Sequence, residues 1–487
     1  MKMEKIFSHF LNYLVRALFP IITIWSMGYL YKNWDSPKLF SISLIISLGL
    51  LISVIAWALT KGVNKKNLFL IIFFIGLIIR LLWFFNINSV PISDFRLMYN
   101  SGKDFINGSF YMFWGTHYFA RFPHMSLTVM FFGFMQQLFS DPLRAIRLLN
   151  IVFSMSNMVA IYFIAKRIFH NQNKSIFAML LAAFYPPMIL YNNVFCSENL
   201  AMPILLLSIL MFLKSLDDGE KWFIVSGLLL GLTHLFRPMG YIMIIGYSMY
   251  ILIYYKQRLK GKVLVLSSLV ISFITPLVLT SVILINLEII EYPLWHGTEP
   301  PSVSILKGTN ISSLGRWNEE DAAVFGKFDE DYERVDVEAK RIIKERLTQT
   351  PVKELAIFFT NKYGAQWMTG DFSGASWAEA GLDDLENKHD YLPNLDSNQS
   401  GMIFRLSEIG FIYFQTFHIL LLVLTFIGFY CRSTTGNKKI DLFYILFCGF
   451  AFQYLITESQ DRYAYIASWI FVLLSMTAFR DEDINEY

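Results

Sequence analysis

The stretch "LFLIIFFIGLIIRLLWFFNI", residues 68–87, decides the fold class, because it runs for the length of a membrane span with a single charged residue, Arg80. About 20 apolar residues suffice for a helix to cross the hydrocarbon core of a bilayer. The whole chain shares this character: 55% of its 487 residues are hydrophobic, only 16% are charged, and the mean hydropathy is +0.45. The alternating pattern typical of outer-membrane barrels is absent. The sequence therefore predicts an all-α polytopic protein of the cell membrane.

Hydropathy predicts about twelve transmembrane helices. Before the first of them, apolar residues recur at helical spacing over residues 3–14, which indicates a short helix lying in the membrane interface. The predicted spans lie near residues 15–32, 39–60, 67–88, 143–166, 175–192, 198–214, 221–236, 239–255, 263–287, 404–430, 440–457 and 463–480.

The short loops predict the orientation of these spans. Lysines and arginines cluster on one side of the topology, which the positive-inside rule makes cytoplasmic, and both termini then lie in the cytoplasm. The clusters fall within residues 61–66, 166–174, 256–262 and 432–439. Most clustered polar residues in and near the membrane are then predicted to lie on the outer, extracytoplasmic side.

Two predicted outer segments, residues 89–142 and 288–403, are too long to be simple connectors. The first combines aromatic and amphipathic stretches, which favours helices along the interface. In the second, residues 336–351 are predicted to form a helix that ends at Pro351, and residues 352–367 a second helix pressed against the bilayer or the bundle. We therefore expect residues 288–403 to form an ordered cap.

Charge and cysteine content exclude two classes of partner and site. The net charge of +3 is small and its basic residues are spread among short loops, so nucleic acid is not an expected partner. Cys196, Cys431 and Cys448 fall in separate spans without metal-binding spacing, so we expect unpaired cysteines and no zinc site.

Ionisable residues at membrane depth are costly and mark candidate functional sites. Asp94 follows the third span by a few residues, and the stretch "DFRLMY" carries Tyr99 beside it on a predicted interfacial helix. Asp94 is predicted either to be catalytic or to cap that helix. Glu198 opens a span, where the helix dipole alone explains an acidic residue. Arg80 is predicted to be structural or to snorkel towards the interface.

Several predicted outer turns carry arginine. "THLFRPMG" contains His234 and Arg237, and "TESQDRYAYIAS" contains Glu458, Asp461, Arg462 and Tyr463, while Arg144 and Arg147 follow the first outer segment. Each turn is compatible with an ordinary hairpin. Together they form a surface suited to a phosphate or diphosphate, and one carboxylate among arginines suits glycosyl transfer from a lipid phosphate. The carboxylate would accept the proton of the attacking hydroxyl, and the cations would stabilise the leaving phosphate.

Five motifs resemble the GT-C class of polyprenyl-phosphate-sugar-dependent glycosyltransferases, specifically the protein O-mannosyltransferase and aminoarabinose transferase superfamily. They occur in the family's order over roughly residues 67–480, and their order is more specific than any single motif. The motifs are "SDFRLMYNSGKDF" (93–105), "FPHMSLTVMFFGFMQQLFSDPLRAIRLLN" (122–150), "YPPMILYNNVFCSENL" (185–200), "LLLGLTHLFRPMG" (228–240) and "ESQDRYAYIASWIF" (458–471).

The resemblance implies an outward-facing site between a GT-C-like bundle and a cap, with a lipid-linked donor entering from the outer leaflet. It implies Asp94 as the catalytic base of an inverting reaction, and Arg237 and Arg462 as ligands of the donor phosphate. Tyr99, His124, Glu198 and Tyr463 follow as further substrate contacts. By the same comparison, residues 1–66 are two additional transmembrane helices, 67–287 the core with its first outer loop 89–142, 288–403 the cap, and 404–487 the C-terminal spans.

The chain departs from the family pattern at two points of the first outer loop. Phe95 follows Asp94 where many relatives carry a second acidic residue, so no metal-binding residue is assigned, and a divalent cation is left open as a cofactor. A typical Pro-Pro pair is reduced to Pro123-His124, which leaves His124 as a polar contact.

The predicted function is transfer of a sugar from an undecaprenyl- or dolichyl-phosphate donor to an extracytoplasmic acceptor, which is a glycan, lipid or protein of the cell envelope. Two alternatives stay open: a transporter of lipid-linked saccharides, which would need no base at Asp94, and a ligase that transfers a whole polymer from a lipid diphosphate. Many transporters contain internal repeats, and the absence of a convincing repeat in this sequence weakens the transporter hypothesis.

Overall fold

A computed structural model describes residues 2–87, 89–379, 397–431 and 437–479. Within these ranges the regular structure is helical, so the all-α prediction is confirmed. The α helices are α1 Lys2–Lys32, α2 Leu39–Thr60, α3 Lys65–Asn86, α4 Ser93–Ile106, α5 Tyr118–Arg121, α6 Ser126–Leu138, α7 Pro142–Phe169, α8 Gln172–Phe184, α9 Pro186–Leu190, α10 Ser197–Asp218, α11 Lys221–Phe236, α12 Gly240–Tyr254, α13 Leu259–Asn286, α14 Ser302–Gly308, α15 Glu319–Ala322, α16 Val324–Lys327, α17 Tyr332–Gln349, α18 Val352–Trp367, α19 Gly374–Glu379, α20 Ser397–Cys431, α21 Lys438–Ile456 and α22 Trp469–Ser475.

The described residues contain 8 helices that are long and apolar enough to cross a membrane, or 9 if a bent pair counts as one span. The other three predicted spans coincide with shorter apolar helices, Lys221–Phe236, Gly240–Tyr254 and Trp469–Ala478. Twelve full-length spans are therefore not confirmed. The separate interfacial helix predicted over residues 3–14 is wrong, since α1 runs without a break from Lys2 to Lys32.

Arg80 forms hydrogen bonds at the bend between the two helices of the bent pair. Residues Gln172–Phe184 and Pro186–Asn193 meet at 60°. Pro186 and Pro187 lack the N–H groups that would bond the carbonyls of Ala182 and Ala183 four residues earlier. The fully buried Arg80 donates to both carbonyls instead, at 3.4 and 3.2 Å. Arg80 therefore stabilises the bend, in agreement with its predicted structural role.

The first outer loop folds back as a helical hairpin. Helices α4 and α6 approach so closely at Gly102 and Gly133 that a Cβ atom on Gly102 would lie 2.7 Å from the Gly133 nitrogen. Between them run two short 3-10 helices, Tyr111–Phe113 and Pro123–Met125, together with α5. This packing fixes the start of α4, where Asp94 lies.

The predicted cap helices are confirmed as α17, which ends before Pro351, and α18, which spans residues 352–367. Helices α14, α16 and α17 share a small hydrophobic core of their own, and α18 packs against α1 and α21. The small core shared by α14, α16 and α17 consists of Val303, Leu306, Val324, Phe325, Val335 and Ala339. The described part of residues 288–403 is therefore folded, and α18 packs against α21, the helix that precedes Arg462.

Candidate functional site

Asp94 lies in the first turn of α4 and is held by two partners. Its Oδ1 accepts a hydrogen bond from the Tyr118 hydroxyl at 2.9 Å, and its Oδ2 lies 3.2 Å from Nη2 of Arg462. The capping position of α4 is occupied by Ile92, so the alternative that Asp94 caps the helix is not observed. Ser93 has a left-handed φ of +49°, a strained conformation of the kind that concentrates at functional sites.

Arg462 is the second residue of the 3-10 helix Asp461–Ala467, which follows α21. Its Nε donates to Gln460 at 3.1 Å, while its guanidinium lies 4.3 Å from the centre of the Trp377 ring and 4.9 Å from that of Phe95. Aromatic faces on a buried cation leave few directions for hydrogen bonding. The guanidinium is thereby directed towards Asp94.

Arg237 and Glu198 form a second, more buried ion pair. Arg237 ends α11 just before Pro238, and Glu198 lies in the first turn of α10. The distance from Nη2 to Oε1 is 3.1 Å, with side-chain exposures of 13% and 4%. The buried Nε of Arg237 has no hydrogen-bond partner among the described residues. This N–H is therefore a donor that a bound anion would satisfy.

Tyr463 connects the two ion pairs. The guanidinium of Arg237 lies 5.0 Å from the centre of its ring, and that of Arg462 lies 5.3 Å from it. The Tyr463 hydroxyl donates to Glu458 at 3.2 Å, and Glu458 also pairs with Lys307 of the cap at 3.2 Å. Both predicted phosphate ligands thus share one aromatic ring.

His124 lies in the short 3-10 helix that precedes α6, with its ring 6.4 Å from that of Phe122. Burial, and then the nearby Arg237 and His234, lowers the pKa of His124 to about 3. His124 is therefore a neutral side chain beside Arg237. His234 itself packs against the rings of Tyr241 and Phe273.

Other sequence candidates lie elsewhere. The buried Tyr99 packs its ring against Phe132 of α6. It lies five residues further along α4 than Asp94, so the two side chains leave the helix in different directions. Arg147 donates to the Ile87 carbonyl, and Arg144 and Arg147 both lie over the Phe84 ring. These contacts give the two arginines a structural setting.

Sequence reasoning missed Tyr118 and Lys307. Tyr118 stands in the aromatic run "FYMFWGTHYFARF" (110–122), where no spacing distinguishes it, and Lys307 stands in the charged cap. Burial, and then the charge of Asp94, raises the pKa of Tyr118 well above its ordinary value, so it remains a hydroxyl donor. Only the folded chain brings either residue to the site.

The described residues contain no group of three or more His, Cys, Asp or Glu side chains arranged to hold a metal ion. Cys196 and Cys448 are free thiols, and the side chain of Cys431 lies outside the described residues.

An apolar groove runs between α12 and α13 next to His234. It encloses about 470 Å³, and Tyr241, whose ring contacts His234 at 4.4 Å, forms part of its wall. Many of its other lining residues are exposed and apolar, among them Ile245, Met249, Ile274, Val278 and Trp295. The groove is thus an apolar surface feature whose wall, at Tyr241, lies against the His234 ring.

Residues 126–281 match the family model for dolichyl-phosphate-mannose-protein mannosyltransferase. The matched segment covers about a third of the chain, and its similarity agrees with the class predicted from the motifs, the membrane glycosyltransferases of the GT-C type. The matched segment contains Glu198 and Arg237, whereas Asp94 and Arg462 lie on either side of it. No curated protein sequence matches the chain significantly.

The chain also aligns with two structures of the Archaeoglobus fulgidus oligosaccharyltransferase. The apo form is 10% identical with a TM-score of 0.48, over 86% of this chain and 51% of that chain. The form tethered through a disulfide bond to an acceptor peptide containing the NVT sequon is 13% identical with a TM-score of 0.31, over 78% and 59%. The chain therefore spans little more than half the length of that protein.

Proposed function

We propose that the protein transfers a sugar from a polyprenyl-phosphate-linked donor to an extracytoplasmic acceptor in the cell envelope. The observation that carries this proposal is that the carboxylate of Asp94 pairs with Arg462, and that the guanidinium groups of Arg462 and Arg237 both lie near the ring of Tyr463. Substitution by a hydroxyl needs a proton acceptor on one side and charge stabilisation at the leaving phosphate on the other.

Asp94 is the proposed general base. Tyr118 and Arg462 each occupy one direction at its carboxylate, and an ionised carboxylate has about four acceptor sites, so an acceptor hydroxyl can still bond to it. The contact with Arg462 holds the carboxylate in a fixed position beside the proposed phosphate ligands. Attack opposite to the leaving phosphate inverts the configuration of the sugar.

Arg237 and Arg462 are the proposed phosphate ligands, with Glu198, His124 and Tyr463 around them. The unpartnered Nε of Arg237 supports this assignment, because a buried donor without an acceptor is costly unless a ligand satisfies it. His124 stays neutral and offers a hydrogen bond without adding charge. Tyr99, in the same helix as Asp94, stays a proposed substrate contact.

A lipid-linked donor fits the surroundings of the arginines. The apolar groove beside His234 is suited to the hydrocarbon chain of such a donor while its phosphate reaches Arg237. The family model that matches residues 126–281 takes its name from a dolichyl-phosphate-linked sugar, which supports the same donor class.

We place the site on the extracytoplasmic face and both termini in the cytoplasm. Ion pairs that join the predicted cytoplasmic loops support this orientation: Arg167 pairs with Asp217 and Asp218, Lys439 with Asp217, and Lys438 with Glu4 near the N-terminus. Asp94, the cap and Arg462 are grouped together away from these loops in the predicted topology.

Mass spectrometry of cell-envelope glycans, with and without the protein, tests the proposal. A difference of one sugar supports a glycosyltransferase, a difference of a whole polymer identifies a ligase, and unchanged glycan structures with altered export identify a transporter. Cells carrying Asp94→Asn should match cells without the protein, since loss of a general base costs about 10²- to 10⁴-fold in rate. Asp104→Asn, in the last turn of the same helix, is the matched control and should restore the glycan.

A further inference from the structure

Lys362 is a buried cation that the proposed chemistry does not use. It lies in α18 of the cap, 1% exposed, although lysine is almost never fully buried unless it is paired. Its Nζ donates to the backbone carbonyls of Gly308 at 2.6 Å, Leu455 at 2.9 Å and Thr457 at 2.8 Å. An ammonium has three donors, and all three are used. Burial lowers the pKa of Lys362 to about 7, while the nearby Glu458 acts in the opposite direction.

Two of these carbonyls belong to the end of α21. The last carbonyls of a helix have no partner within the helix, and a cation there is also favoured by the helix dipole. Leu455 and Thr457 occupy that end, and the chain continues directly into Glu458–Arg462, the segment that delivers Arg462 to Asp94. Lys362 therefore caps the C-terminal end of the helix that leads into the segment carrying Arg462.

Three consecutive residues of the same segment, Glu458, Ser459 and Gln460, form further hydrogen bonds to the cap through their backbones. The Glu458 N–H donates to the Ser304 carbonyl at 2.8 Å, and the Ser459 N–H donates to the Gly315 carbonyl at 2.9 Å. Gln366, one turn after Lys362 in α18, donates to the Gln460 carbonyl at 2.7 Å. The segment is thus held by its backbone, independently of its side chains.

Two glycines allow the cap to approach this closely. A Cβ atom on Gly308 would lie 2.3 Å from the Ile456 carbonyl oxygen, and one on Gly315, which has φ +71°, would lie 2.5 Å from Cε of Lys362. Real Cβ atoms do not come so near, so larger residues would displace the cap from the end of α21.

We propose that Lys362 is a positioning residue of the site: its ammonium fixes the Glu458–Arg462 segment against the cap, so that Arg462 meets Asp94. The claim that this positioning matters for catalysis rests on the proposed glycosyl transfer. The claim that Lys362 holds the Glu458–Arg462 segment in place does not depend on any activity.

Hydrogen exchange measured by mass spectrometry on the full-length protein tests the structural part. Lys362→Met keeps an unbranched side chain, one atom shorter, and removes all three donors, so the Glu458 and Ser459 amides should exchange about tenfold faster or more, while residues 95–106 keep their protection. Lys353→Met, at an exposed lysine in the same helix, should leave both regions unchanged. Unchanged exchange at Glu458 and Ser459 in Lys362→Met would overturn the proposal.

Activity tests the functional part. Lys362→Met should lower kcat about tenfold or more, and much less when Arg462 is already alanine, because residues that act through one another are not additive. Equal losses in both backgrounds would mean a general structural effect and would contradict the positioning role. If Lys362→Met does not fold, Lys362→Gln and Gln366→Leu provide milder versions of both measurements. If the wild-type protein shows no glycosyl transfer but Lys362→Met exchanges as expected, the proposed function is refuted. The structural part of the proposal, that Lys362 fixes the Glu458–Arg462 segment, then still holds.

Discussion

Arg462 and Asp94 stand 368 positions apart in the chain, yet the Arg462 Nη2 lies 3.2 Å from the Asp94 Oδ2. Asp94 is 32% exposed in its side chain and Arg462 is 9% exposed, so the pair is anchored on the arginine side and open on the carboxylate side. A base must be reachable by the acceptor, whereas a phosphate ligand benefits from a rigid and desolvated setting. The two exposures agree with the two proposed roles.

The geometry of Arg462 should matter as well as its charge. Arg462→Lys keeps a cation, but an ammonium cannot both bond Gln460 and lie flat on Trp377 as the guanidinium does. We expect transfer to fall about tenfold or more in Arg462→Lys, and about 10²- to 10³-fold in Arg462→Ala. Steady-state kinetics on purified protein with a polyprenyl-phosphate sugar measures this, and full activity of Arg462→Lys would show that only charge is needed.

Tyr118 should orient Asp94 as a neutral donor. Tyr118→Phe removes one hydrogen bond to a charged acceptor, which is worth about 1.5–3 kcal/mol. We therefore expect a loss of about tenfold to a hundredfold in kcat/KM. Because burial and Asp94 raise the pKa of Tyr118, its ionisation should not appear in the pH–rate profile of the wild type below pH 10. An alkaline limb that disappears in Tyr118→Phe would contradict this.

The pair Arg237–Glu198 should behave as a buried ion pair. Removing one partner leaves an uncompensated charge and typically costs about 3–5 kcal/mol. We expect Glu198→Gln and Arg237→Leu each to lower the free energy of unfolding, and the double variant to lose less than the sum of the two. Thermal unfolding in detergent for the three variants gives the coupling energy, and strict additivity would mean that the pair contributes nothing.

The sequence predicted those residues of the candidate site that are charged and lie next to long apolar segments. Asp94, Arg237 and Arg462 stand next to long hydrophobic runs, and the predicted topology put them on one side. Tyr118 was not predictable, since one tyrosine in an aromatic-rich loop is distinguished only by the partner it meets in the folded chain. The ring contact of Tyr99 with Phe132 was not predictable either, because closeness to Asp94 in sequence does not determine which face of a helix a residue occupies.

The helical class was predictable for a similar reason, while span lengths were not. Hydropathy averages over a window, so it finds the apolar segments 221–236 and 239–255 but does not show that the helices end at 16 and 15 residues. The bend at Pro186 depends on Arg80 supplying donors from another helix, which no local pattern reveals.

Arg80 should be needed for folding and not for transfer. Arg80→Met leaves the carbonyls of Ala182 and Ala183 without donors, and each unsatisfied buried acceptor costs about 1–3 kcal/mol. We expect a lower midpoint of thermal unfolding and a smaller amount of folded protein, with near-normal activity per folded molecule. Arg144→Met, at an exposed position, is the control. Loss of activity without loss of stability would contradict the structural role.

His124 should make the protein sensitive to acid. Its pKa is about 3 in the folded chain and about 6.5 in an unfolded one, so between these values the unfolded state binds more protons. The free energy of unfolding should therefore fall as the pH is lowered from 6.5 towards 3, with no contribution from His124 above about pH 7. His124→Asn should reduce that fall, which unfolding midpoints from pH 4 to pH 8 will measure. Because His124 stays neutral, the pH–rate profile between pH 5 and 8 should have the same shape in the variant and the wild type. A titration near pH 6 that vanishes in His124→Asn would instead mean that His124 gains a proton beside Arg237.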